Sequence, residues 1–174
     1  GNQENLPSWI DIDSFETNTR VNPPLRTEED RLCLIEALLD GTIDIIATDH
    51  APHSKGDKNN TFDEAPAGIN GAETAILSLL TMMNKNELRL ENIVSSLCSK
   101  PGSILEDILG LKVGKIKVGF NADFVSINPN YEIFIDEDFF VSKSSNSPLI
   151  GKKMKGKVNM TIFDGKIVYE DNNE

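Results

Sequence analysis

Both histidines of the chain, His50 and His53, follow closely on Asp49 in the run Ile43-Asp44-Ile45-Ile46-Ala47-Thr48-Asp49-His50-Ala51-Pro52-His53. A carboxylate and an imidazole at this spacing suit metal ligation, general acid–base catalysis or hydrogen bonding to a polar substrate. Asp49 can hold a cation or accept a proton from a water bound to one; it can equally cap the turn that follows. Pro52 stiffens the loop and aims the His53 imidazole. His50, adjacent to Asp49, is better read as satisfying backbone groups.

The apolar, β-branched run before Asp49 predicts a strand buried on both faces of a parallel sheet. Asp49 would then lie at the carboxyl end of that strand, where barrels and open sheets bind their ligands. Upstream, Thr27-Glu28-Glu29-Asp30 is a capping box with Asp in place of Glu, and Leu32, Ile35 and Leu39, with Leu34 and Leu38, recur at helical spacing. These residues predict a helix from Glu28 to Leu39, closed by Asp40-Gly41. Before it, the two prolines of Val21-Asn22-Pro23-Pro24-Leu25-Arg26 exclude helix and hold Asn22 in an extended frame, on local grounds as part of a connecting loop. Extended segment, helix and strand in succession make an α/β order, with a short right-handed crossover.

Residues 54–70 form a polar connection of unusual length, closing on Ala65-Pro66-Ala67-Gly68-Ile69-Asn70-Gly71. Its glycines let the backbone approach a ligand closely, and its amides could hold a small anion or cap the next helix. Helices are expected over 71–84, with Ala72, Ala75, Ile76, Leu79, Leu80 and Met83 as core, and over 90–97, ended by Lys100-Pro101-Gly102. A short third one spans 104–109 and stops at Gly110. From Lys112 onward the pattern turns to strands, at 115–118, 122–127, 132–135, 158–163 and 166–169, with Asp164-Gly165 as a hairpin turn. The expected organisation is a polar leader over 1–19, pinned by Trp9 and Ile10, an α/β part over 20–110 and a β part over 111–174.

Composition narrows the function classes. The 174 residues are enough for a real core. A net charge of -11 argues against nucleic acid or an anionic membrane as partner, because both require a basic patch. Cys33 and Cys98 lie far apart without a Cys/His cluster, so neither a disulfide framework nor a zinc ribbon is expected, and both thiols are read as small hydrophobes on helices. No long apolar run or charged leader marks a membrane span or secretion signal, so the expected compartment is the cytoplasm.

Three motifs, Val21-Asn22-Pro23-Pro24-Leu25-Arg26, Thr48-Asp49-His50-Ala51-Pro52-His53 and Ala65-Pro66-Ala67-Gly68-Ile69, in this order and spacing, resemble the dihydroorotases. In the β part, Gly114-Lys115-Ile116-Lys117-Val118-Gly119-Phe120-Asn121-Ala122-Asp123-Phe124-Val125 is similar to the closing signature of the amidohydrolase superfamily. Asn146-Ser147-Pro148 and Gly165-Lys166-Ile167-Val168 match as well. The resemblance implies the C-terminal part of a metal-dependent (β/α)8 barrel followed by a small β-sandwich-like domain. The activity it implies is the reversible cyclisation of N-carbamoyl-L-aspartate to L-dihydroorotate in pyrimidine synthesis, with one or two zinc ions as cofactor. By the same resemblance Asp49 is a metal ligand and the catalytic proton carrier. Asn22 and His53 bind substrate, and the backbone of Ala67 and Gly68 contacts the dihydropyrimidine ring.

The family also uses a His-x-His pair, a bridging carboxylate or modified lysine, further histidines and an arginine for the substrate carboxylate, and none of these is found in this sequence. A (β/α)8 barrel takes about 250 residues. The expectation is therefore a piece of a longer enzyme that, isolated, neither holds zinc tightly nor turns over substrate. Exposed strand edges and helix faces would favour a homo-oligomer. Hydantoinases, dihydropyrimidinases and allantoinases are the neighbouring enzymatic readings. A non-catalytic dihydroorotase-like subunit associated with aspartate transcarbamoylase is the reading outside catalysis.

Overall fold

The computed structural model describes residues 15–171, so the expected anchors Trp9 and Ile10 lie outside the described residues. Among the described residues five α-helices precede a small sheet: α1 (Glu28–Asp40), α2 (Lys55–Lys58), α3 (Ala75–Asn84), α4 (Leu90–Val94) and α5 (Lys100–Leu109), then β1 (Phe124–Phe134), β2 (Lys153–Phe163) and β3 (Lys166–Glu170). It is a partial α/β fold. The strands form one sheet in the order β1-β2-β3. No helix among the described residues is long and apolar enough to cross a membrane.

Local chemistry accounts for most boundaries. Helix α1 begins where Thr27 and Asp30 exchange hydrogen bonds, the Asp30 amide donating to Thr27 Oγ1 (3.2 Å) and the Thr27 amide to Asp30 Oδ2 (3.1 Å). Helix α2 repeats the device with Ser54 and Asp57, and gives the long polar connection a fixed first turn. Helix α5 ends on Gly110, whose φ of 68° suits a left-handed cap; its amide donates to Glu106 O (2.9 Å). Asp164 and Gly165 both have positive φ (50° and 71°), as a tight hairpin between β2 and β3 demands. That hairpin pairs Phe163 with Lys166 and Met160 with Glu170, with an irregularity between Thr161 and Ile162.

Several expectations are corrected. Residues 43–47 are not a buried strand: they run without a ladder, and Ile45 is 37% exposed. A strand needs neighbours to accept its backbone groups, and the described residues supply one bond, from the Ile46 amide to Ser96 O (3.2 Å). Lys100-Pro101-Gly102 does not end a helix. The chain passes from α4 through a π-helical turn, Ser95–Ser99, directly into α5, and Pro101 falls in the first turn of α5, just after the π-helical turn that changes the local hydrogen-bond pattern. Residues 115–118 form no strand, and Val118 is fully exposed. The two runs expected at 122–127 and 132–135 are one continuous strand, β1. Cys33 and Cys98 are exposed rather than packed.

The chain groups into two compact units that interleave in sequence. One contains the described residues up to Ala37, Thr48–Ile76 and Phe134–Lys153; its buried apolar residues are Ile35, Ala65, Ile135 and Phe140. The other contains Leu38–Ala47, Leu77–Ile133 and the described residues from Met154 onward, with Leu77, Leu79, Leu80, Leu88, Ile93 and Met154 buried. On α3 the buried face therefore includes Leu77, which the expected stripe omits, and Ala72 lies exposed before the helix. In this second unit Gly156 (φ 115°) lies so close to α3 that an added Cβ would come within 2.5 Å of the Leu80 side chain.

Candidate functional site

All the residues singled out for chemistry fall in the first unit. Asp49 has a left-handed backbone, φ 44°, which turns the chain sharply at the end of the apolar run and leaves the carboxylate exposed. Immediately after it, His50 and Ile69 form an isolated parallel bridge, and the Ala51 amide donates to Ile69 O (2.9 Å). The loop carrying the histidines thus runs beside the glycine loop. His50 Nδ1 receives the amides of Gly71 (3.3 Å) and Ala72 (3.2 Å). An atom that accepts two N–H groups carries no proton, so the His50 tautomer is set by the backbone. This agrees with the structural reading of His50.

His53 Nε2 lies 3.1 Å from Ala67 O. A carbonyl only accepts, so Nε2 holds the proton and, in the neutral ring, Nδ1 is left as an acceptor. The backbone polar groups of Gly68 are both engaged: its amide donates to Arg20 O (2.9 Å) and its carbonyl receives Asn146 Nδ2 (3.1 Å). Its φ is 136°, and a Cβ there would fall 2.6 Å from Ala51 Cβ and 2.9 Å from His53 Nε2. Close approach of the two loops requires glycine at this position.

The structure brings His53, Ala67 and Gly68 together. Asn22 and Asp49 are not joined to them: both are exposed, and among the described residues neither side chain forms a hydrogen bond or ion pair. Asn22 follows closely on Arg20, whose carbonyl holds Gly68, so its segment borders the same loop; the Asn22–Pro23 peptide is cis.

Sequence reasoning missed the residues that fasten these loops. Asn146, 6% exposed, receives the His53 amide on Oδ1 (3.0 Å) and donates Nδ2 to Gly68 O and, at 3.4 Å, Ala51 O. Ser144 Oγ donates to His53 O and also contacts Asn146 Oδ1. Lys58, a buried lysine, donates to Thr17 O and Pro66 O, both at 2.9 Å, and Arg20 donates to Phe62 O. Burial and the neighbouring Arg20 push the Lys58 ammonium below its ordinary value. The only signal for Asn146 was its place in the Asn-Ser-Pro match, which says nothing of its partners.

A catalytic zinc site takes three protein ligands and an open position. No group of three or more His, Cys, Asp or Glu side chains that could hold a metal occurs among the described residues. Asp49 is one candidate ligand; the residues present do not by themselves make the site.

A sequence profile described as amidohydrolase family matches residues 14–168, nearly the whole chain. The chain belongs to the amidohydrolase family. Relatives include a dihydroorotase of Clostridium acetobutylicum, 46% identical over 156 residues, covering 89% of this chain and 36% of the relative. A dihydroorotase of Clostridioides difficile is 45% identical over 160 residues, covering 91% and 37%. This amidohydrolase chain thus spans little more than a third of the length of those relatives. Among solved structures it is similar to an L-hydantoinase (dihydropyrimidinase) from Arthrobacter aurescens, TM-score 0.83 and 29% identity over 91% of this chain and 36% of that one. A D-hydantoinase (dihydropyrimidinase) from a Thermus species, TM-score 0.79 at 24% identity over 90% and 35%, shares the fold. Family and neighbours together imply that the described elements are a portion of a (β/α)8 barrel protein.

Proposed function

We propose that this chain is the C-terminal part of a dihydroorotase, an enzyme interconverting N-carbamoyl-L-aspartate and L-dihydroorotate. The observation that carries the reading is the fastening of the His53 loop to the Ala67–Gly68 loop beside Asp49, in a chain whose relatives at 44–47% identity are named dihydroorotase. In this reading Asn22 and His53 bind the substrate, His53 offering Nδ1 as an acceptor to an N–H group. Ala67 and Gly68 face the ring with their backbone. Gly68 contributes shape, since its amide is already bonded to Arg20 O. Asp49 carries the proton and is one ligand of a metal, zinc by family, whose other ligands come from outside this chain.

The helical part up to residue 110 then belongs to the barrel, and 111–174 to a small β-sandwich-like domain completed by chain from elsewhere. The working enzyme is a cytoplasmic homo-oligomer, with aspartate transcarbamoylase as the candidate partner. This chain alone is inactive. The hydantoinase reading has its own support in the Arthrobacter structure. Both are tested by assaying the full-length enzyme on dihydroorotate, dihydrouracil, hydantoin and allantoin: preference for dihydroorotate is expected, and turnover confined to the others refutes the proposal. Hydrolysis of dihydroorotate by the 174-residue chain alone refutes the fragment's inactivity.

A further inference from the structure

We infer that Asn146 is a positioning residue that sets the separation between the His53 imidazole and the Ala67–Gly68 backbone; the inference rests on the dihydroorotase reading for its substrate. An asparagine side chain has one acceptor oxygen and two N–H donors. Here the oxygen takes the His53 amide and lies against Ser144 Oγ, whose single proton serves either this oxygen or His53 O, and the nitrogen reaches Gly68 O and Ala51 O. Asn146 O in turn receives the Asn70 amide (2.9 Å), and Asn70 Nδ2 donates to Ser144 O (2.6 Å). One buried amide therefore joins the two loops that carry His53 and Ala67–Gly68, which approach too closely for a Cβ at Gly68. Aspartate at this position keeps the acceptor but turns a carboxylate oxygen toward two carbonyl oxygens, which pushes the loops apart without a change in volume.

The test is Asn146→Asp in the full-length enzyme, against Glu73→Gln as a structural control. Glu73 binds the amides of Val141 (2.8 Å) and Ser142 (3.1 Å) in the same unit, and among the described residues its side chain forms no hydrogen bond to His53, Ala67 or Gly68. For Asn146→Asp, KM for dihydroorotate should rise about tenfold with kcat within about threefold, since the misplaced groups bind ground state and transition state alike. Glu73→Gln should lower thermal stability and leave KM unchanged. An unchanged KM in Asn146→Asp, or an equal rise in Glu73→Gln, overturns the inference. Should Asn146→Asp fail to fold, Ser144→Ala, which removes the hydroxyl lying between Asn146 Oδ1 and His53 O, carries the same expectation at about threefold. If the wild type ignores dihydroorotate, the reading of the substrate fails; the Asn146 inference is then judged by hydrogen exchange. Aspartate keeps the acceptor of the His53 amide, so the reporter is the Ala51 amide, bonded to Ile69 O between the two loops: its exchange in Asn146→Asp no faster than in wild type overturns the inference whatever the substrate.

Discussion

His53 Nε2 and Ala67 O are 3.1 Å apart, joined across two loops that have no helix or strand in common. The bond fixes which ring nitrogen carries the proton, and leaves Nδ1 of the neutral ring as an acceptor. Nitrogen-15 NMR of the folded protein should report Nε2-protonated His53, and Nε2-protonated His50 because Nδ1 of that ring holds the amides of Gly71 and Ala72. An Nδ1-protonated neutral ring at either position contradicts the geometry.

Asp49→Asn isolates chemistry from folding. Asparagine tolerates the left-handed backbone that Asp49 adopts at φ 44°, and the exposed carboxylate has no partner among the described residues to lose. Thermal unfolding should stay within about 0.5 kcal/mol of wild type, the range for surface substitutions. Activity of the full-length enzyme should fall by about 10²–10⁴, the contribution of a positioned proton carrier. Retained activity removes Asp49 from the mechanism.

Gly68→Ala should have the opposite profile. A methyl group 2.6 Å from Ala51 Cβ, at φ 136°, forces the loops apart, at a cost of about 1–3 kcal/mol for the strained backbone alone. Denaturant titration measures the loss, and the KM of the full-length enzyme should rise with it. A variant as stable as wild type shows that the loops yield freely.

Lys58 gives an alkaline signature. Burial and Arg20 hold its ammonium below the ordinary 10.5, so on a rising pH scale the folded protein releases this proton before the unfolded chain does. Between the folded-state value and 10.5 the unfolded state binds more protons, and stability rises with pH; below that window the buried charge weighs against the fold. Wild-type unfolding free energy minus that of Lys58→Met should therefore climb with pH across the alkaline range. A flat difference means that Lys58 titrates alike in both states.

Where the chain's own neighbours complete an interaction, the sequence was enough. Thr27 with Asp30 began α1, Gly110 ended α5, and Asp164-Gly165 turned β2 into β3, because each device closes within a few residues. The motif residues Asp49, His53, Ala67 and Gly68 were legible as types in an order. What needed distant partners was not: the run before Asp49 has the pattern of a buried strand, yet without paired neighbours among the described residues it is an exposed segment. Tertiary structure alone joined His53 to Ala67 and made Asn146, 93 residues from His53, the link between both loops. Hydropathy period records which face is apolar; it carries no information about which buried amide meets which backbone group, and that pairing is decided only when the loops fold against each other.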